Sequence, residues 1–167
     1  QAQVPVSSDL TAVHFPSDKL GWAVGHDGAA LPPNDGGMSW SQQLDGRAVN
    51  ELILADVQAK LAASPESIEL QALVAEAERS REQGPDKPFL DVWFENDMHG
   101  YVVGAYGLLL ETTDGGQTWE SWFDRAENPR FMNLYAIRPA AGGLYIAGEG
   151  GTVLKLDPVA RRFASVS

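Results

Sequence analysis

The sequence predicts an all-β fold interrupted by one helical stretch, and three observations predict it. First, a segment occurs three times: Leu20-Gly21-Trp22-Ala23-Val24-Gly25-His26-Asp27-Gly28 returns as His99-Gly100-Tyr101-Val102-Val103-Gly104-Ala105-Tyr106-Gly107 and as Gly143-Leu144-Tyr145-Ile146-Ala147-Gly148-Glu149-Gly150-Gly151. The shared aromatic-x-x-Gly-x-x-Gly register marks one small unit being copied. Second, the copies extend outward, with Leu31, Leu110 and Leu154 three residues beyond the last glycine and Val13, Val92 and Ala136 nine residues before the aromatic. Third, Gly104 and Gly148 are 44 residues apart whereas Gly25 and Gly104 are 79 apart, so the first interval holds an insertion.

Each unit reads as short strands in order. An apolar alternation leads (Leu10, Ala12 or Val13, Phe15; Leu90, Val92, Phe94; Leu134, Ala136), and the aromatic-rich strand follows. Asp27-Gly28, Tyr106-Gly107 and Gly150-Gly151 then form tight turns, because glycine accepts the positive φ such turns demand. Leu108–Thr112 supplies a third strand, and Ser39–Gln42 and Thr118–Trp122 a fourth. Four short antiparallel strands in about 40 residues make a propeller blade. The fold class is therefore a partial β-propeller of three four-stranded antiparallel blades with an inserted α-helical hairpin. Its segments are residues 1–46 (blade 1), 47–88 (hairpin), 89–129 (blade 2) and 130–167 (blade 3).

The insertion, from about Arg47 to Gln83, is dense in Ala, Glu, Gln and Leu, which favour helix. Ser64-Pro65 reads as the N-cap and first residue of a second helix, and Gly84-Pro85 ends the pair. Ile53, Val57 and Leu61 face Leu70, Leu73, Val74 and Ala77 across an apolar seam. Insertions in repeat arrays commonly sit on a functional face, so this hairpin is a candidate for partner recognition, against the plainer reading of a lid.

The turn between third and fourth strands carries the sharpest motif. Thr112-Thr113-Asp114-Gly115-Gly116-Gln117-Thr118-Trp119 fits Ser/Thr-x-Asp-x-Gly-x-Thr/Ser-Trp at every defined position. Pro33-Asn34-Asp35-Gly36-Gly37-Met38-Ser39-Trp40 fits except at Pro33, and the third copy around Asp157-Pro158 has lost its glycine and tryptophan, with Phe163 in the aromatic place. A short carboxylate accepts turn amides, glycine takes the left-handed conformation, and the indole anchors the hairpin. The structural residues of these turns are thus Asp35, Gly37, Trp40, Asp114, Gly116 and Trp119.

On these residues, with Gly21–Gly25 and Gly100–Gly104, the chain resembles the BNR or Asp-box propellers, and more narrowly the photosystem II stability/assembly factor-like family. The resemblance covers about 120 residues, omits the helical insertion, and implies a propeller outside the cytoplasm that holds other proteins without a reaction of its own. It implies a protein client, such as a membrane protein complex, and a periplasmic or otherwise exported location.

Charge departs from that family, whose photosynthetic members engage their client through a basic patch. The net charge here is −11; residues 89–129 carry −7, and only residues 130–167 are basic, at +3. Arg130, Arg138, Arg161 and Arg162 are the candidate partner patch. The acidic balance argues against nucleic acid. There is no cysteine, so disulfides and thiolate metal sites are excluded, and no apolar run approaches the length of a membrane span. His14, His26 and His99 lack metal-ligand spacing, so neither metal nor cofactor is expected. The opening Gln1-Ala2-Gln3 suggests a mature or trimmed chain. Three blades do not close a ring, so the expectation is a longer parent protein, or self-association of partial rings.

The rival from another class is a glycan-binding or sialidase-like glycoside hydrolase. That chemistry needs arginines converging on a carboxylate, a Tyr nucleophile supported by a Glu, and an acid. Asp91, Glu95, Asp97 and Glu111 supply carboxylates, but no Arg-Ile-Pro motif stands near the first strand. Trp22, Tyr101 and Tyr145 read as core because they recur at one register, while Trp93 and Trp122 read as surface candidates. Three arginines meeting at one place would favour the hydrolase.

Overall fold

The computed structural model describes residues 5–28, 30–31 and 35–166, with Ala30 and Leu31 described in backbone only. Three antiparallel sheets follow one another along the chain. The first pairs β1 (Leu10–His14), β2 (Trp22–Gly25) and β3 (Ala30–Leu31) in that order. After α1 (Gly46–Ala63) and α2 (Ile68–Gln83) comes the second, β4 (Phe89–Phe94), β5 (Gly100–Gly104), β6 (Leu109–Thr112) and β7 (Glu120–Ser121). The third is β8 (Leu134–Ala140), β9 (Gly143–Gly148), β10 (Val153–Asp157) and β11 (Arg162–Ser165).

The repeated glycine has a packing cause. In every sheet the leading strand shifts register at the same point, between Leu10 and Ala12, Phe89 and Asp91, and Leu134 and Ala136. Opposite each shift stands Gly25, Gly104 or Gly148, where an added Cβ would lie 2.1 Å from Asp9 O, 2.4 Å from Pro88 O or 2.7 Å from Asn133 O. The glycine is therefore required by a close backbone approach at a β-bulge. Beyond it, each hairpin turns through two successive left-handed residues: Asp27 and Gly28, Tyr106 and Gly107, Gly150 and Gly151. Two positive φ values in a two-residue turn match the twist of the flanking strands.

The second sheet is buried on both faces. Val92, Val102 and Leu110 point into a core shared with Trp22 and α1, whereas Tyr101, Val103 and Leu109 point into a core shared with the third sheet. Period-2 alternation thus serves two neighbours at once. Trp22 stacks on Phe94 (4.5 Å, 7°) and meets Trp119 edge-on (5.7 Å). On the other face, Trp122 meets Tyr101 at 5.3 Å and Phe163 at 6.2 Å.

Several expectations need correction. The first sheet has three strands among the described residues; Ser39–Gln42 forms no extended strand, and Pro33 lies outside the described residues. In the second sheet the fourth strand shrinks to Glu120–Ser121. Ser64 closes α1, its N–H bonding back to Leu61 and Lys60 carbonyls, while Ser67 caps α2 by accepting the Leu70 N–H at 3.2 Å. Pro65 and Glu66 occupy the turn between them. Leu61 is only half-buried, because α1 turns Val49, Ile53, Leu54 and Val57 into the core beside the first two sheets. Trp22 and Tyr101 are core, but Tyr145 is half-exposed beneath Lys155 Nζ, 5.5 Å from its ring. Trp122, read as surface, is 1% exposed.

Candidate partner-binding surface

The contact between second and third sheets gathers the chain's chemistry-bearing side chains. Asp91, on β4, accepts the Ile137 N–H at 2.8 Å and pairs with the Arg138 guanidinium. Glu111, buried on β6, receives the Tyr101 hydroxyl at 2.9 Å, His99 Nε2 at 2.9 Å and Arg161 Nη2 at 2.9 Å. His99 Nδ1 also lies 3.2 Å from a Glu95 carboxylate oxygen, so the ring is held between two glutamates and is not the ordinary exposed turn residue its sequence position suggests. A buried carboxylate is stable only when paired and hydrogen-bonded, and Glu111 has three partners.

This is the Tyr–Glu–Arg grouping a sialidase would need, but its properties oppose that chemistry. Burial, then the Glu111 charge and the hydrogen bond to it, push the Tyr101 phenol far above its ordinary range. A nucleophile needs the opposite shift. Tyr101 is 2% exposed and packed between Trp122 and Phe163. Among the described residues no group of three His, Asp or Glu is arranged to hold a metal ion.

Just outside lies a groove of about 380 Å3 lined by Asp124, Arg125, Val159, Ala160, Arg161 and Arg162. Arg125 and Arg161 both lie over the Trp122 ring, at 4.9 and 5.4 Å from its centroid. Glu120 ties them together, at 2.7 Å from Arg125 and 3.7 Å from Arg161. Arg125 Nη1 is buried and has no acceptor among the described residues. Arg125, Arg161 and Arg162 line the same groove, beside a Tyr101 that is closed off from it by Trp122 and Phe163.

The four arginines proposed from sequence fall in three places. Arg161 and Arg162 line this groove, Arg138 is engaged with Asp91, and Arg130 lines a separate groove of about 490 Å3 with Arg79, Tyr106 and Glu149. Arg125 is a member that sequence reading missed. Its signal was a lone cation directly after Trp122-Phe123-Asp124 in an otherwise acidic segment.

The Asp-box residues stay in their turns. Asp114 accepts the Thr118 N–H (2.9 Å) and hydroxyl (2.6 Å), and Asp35 accepts the Ser39 N–H (2.7 Å) and hydroxyl (2.8 Å). Gly116 and Trp119 both lie against Trp22, while Trp40 donates to the Gly37 carbonyl at 3.2 Å. Asp157, in the degenerate third copy, still accepts the N–H groups of Val159 and Ala160.

The family model described as photosynthesis system II assembly factor YCF48 matches residues 75–166. The chain belongs to that family. It is 50% identical over 52 residues to the photosystem II assembly lipoprotein Ycf48 of Prochlorococcus marinus, a match covering 29% of this chain and 15% of that protein. It is 31% identical over 74 residues to the chloroplastic photosystem II stability/assembly factor HCF136 of Arabidopsis thaliana, covering 44% and 16%. A solved structure of YCF48 bound to D1 peptide matches with a TM-score of 0.64 at 18% identity, over 98% of this chain and 42% of that one. YCF48 from Cyanidioschyzon merolae matches with 0.54 at 17%, over 99% and 39%. These YCF48 structures show the fold, that of a BNR-repeat β-propeller, and the chain spans less than half of each. The family match includes both sheets that form the arginine groove.

Proposed function

We propose that the chain contributes three blades of a propeller (residues 1–46, 89–129 and 130–167), with the hairpin 47–88 built between the first two, and that it acts without chemistry by holding a protein client. The observation that carries this reading is the family match over residues 75–166. The client is a polypeptide of a membrane protein complex, by analogy with the structure of YCF48 bound to D1 peptide. The work is done outside the cytoplasm, as the lipoprotein names of the cyanobacterial relatives suggest. Among the described residues no helix is long and apolar enough to cross a membrane. Arg125, Arg161 and Arg162 offer the client's carboxylates a preorganised surface.

The test is affinity capture of detergent-solubilised envelope membranes on the immobilised chain, read by mass spectrometry. A membrane-complex subunit is expected, and its recovery falls when Arg161 and Arg162 are both changed to Glu. Turnover of a sialoside or other glycoside substrate that disappears in Tyr101→Phe would overturn the reading in favour of the hydrolase.

A further inference from the structure

A second groove adjoins the arginine groove and differs from it in chemistry. It holds about 370 Å3, and its floor and walls are apolar: Leu73, Phe123, Ala126, Pro129 and Phe131, with Ile68 at the lip. Ile68, at the first position of α2, is 82% exposed, a large apolar side chain left open to solvent among the described residues. Phe123 and Phe131 stack at 5.6 Å, and Phe131 holds φ at 52°, which a bulky residue adopts only where its surroundings impose it.

The charges at the edge select the occupant. Asp124 is bound to Lys60 at 2.8 Å, and Glu127 accepts the Ser165 N–H at 2.9 Å. Glu69 and Arg162 are exposed and have no ion-pair partner among the described residues. Two free charges of opposite sign therefore border one apolar trough, and Arg162 and Asp124 also line the arginine groove. A lipid tail would have no use for both charges, and a second copy of a chain with net charge −11 would be repelled.

We infer that this groove docks a peptide segment whose apolar side chains lie between an acidic residue, taken by Arg162, and a basic residue, taken by Glu69. The inference rests on the client-holding reading and names the chemistry of the segment held.

The test uses three labelled twelve-residue peptides sharing one Leu/Val/Ala core, with Lys at one end and Glu at the other, Lys at both ends, or Glu at both ends. Binding to the full chain is followed by fluorescence anisotropy. The mixed peptide binds best, and Ile68→Asp weakens it at least tenfold while circular dichroism and Tm stay unchanged. The double-Lys peptide gains affinity for Arg162→Glu, and the double-Glu peptide gains affinity for Glu69→Lys. Equal binding of all three peptides, or no effect of Ile68→Asp, overturns the inference. So does a dimer in sedimentation velocity that Ile68→Asp dissolves, or saturation by phosphatidylcholine/phosphatidylglycerol vesicles but by no peptide. If Ile68→Asp recovers the membrane client as well as the wild type does, the groove assignment fails and the client reading stands. If the wild type recovers no client while the peptide pattern holds, the client reading fails and the groove assignment stands.

Discussion

Arg161, on the turn between β10 and β11, places Nη2 2.9 Å from Oε2 of Glu111 on β6. The two residues are fifty positions apart and belong to different sheets, so their pair measures whether the second and third sheets are docked. Glu111 is buried and keeps only His99 and Tyr101 when the guanidinium is removed. Arg161→Ala is expected to cost roughly 1–2 kcal/mol in urea unfolding, at the low end for a charged hydrogen bond because Arg161 is half-exposed. Glu111→Ala is expected to cost more, since the Tyr101 hydroxyl is left buried and unpaired.

Gly116 meets two demands where Gly84 meets one. Both have positive φ, but a Cβ on Gly116 would lie 2.0 Å from Trp22 Cη2, whereas one on Gly84 would meet nothing within 4 Å. Gly84→Ala is expected to cost about 1–3 kcal/mol, because φ 97° with ψ −169° is a backbone region that only glycine adopts readily. Gly116→Ala adds overpacking of roughly 1–3 kcal/mol, and its near-ultraviolet dichroism changes as Trp22 is displaced.

Acid stability reports the Asp-box turns. The Thr118 hydroxyl, then its N–H, hold the Asp114 carboxyl below the usual carboxylate range, and the Ser39 N–H, then its hydroxyl, lower that of Asp35. A carboxyl with a depressed native pKa contributes stability above its unfolded value, near pH 4, and loses it as pH falls through the native value. Thermal melts of the wild type should therefore drop as pH falls from about 5 to 2. Asp114→Asn starts lower at neutral pH and declines less.

The capping of α2 separates two serines. Ser67→Ala is expected to cost about 1 kcal/mol, because the Leu70 N–H loses its acceptor. Ser64→Ala should lie within about 0.5 kcal/mol, since that residue bonds through its backbone.

The hairpin is part of the core, so deleting residues 47–84 would remove support as well as any binding face. Ile53, on α1 and 4% exposed in the core shared with α2 and the first two sheets, is expected to cost about 2–5 kcal/mol when changed to Ala. Ile68→Ser should change stability by less than about 0.5 kcal/mol. Chemical denaturation of the two variants separates the structural helix face from the free one.

What the sequence determined by itself is local. Period-2 and period-3.6 patterns, the copied glycines and the Asp-Gly-Gly turns depend on interactions within a few residues, so three strand units, a helical pair and their turns were legible. The exact cap was not, because Ser64 and Ser67 both precede helix-forming residues and only the chain path around Pro65 chooses between them. Tertiary structure decided which charges survive as surface. Arg138 and Arg161 look alike in sequence, yet sheet docking sets one on Asp91 and the other on Glu111 and brings Arg125 beside Arg161. The same docking buries Trp122 and leaves Ile68 bare. These outcomes turn on contacts between residues tens of positions apart, and local chemistry carries no information about which sheet face will meet which.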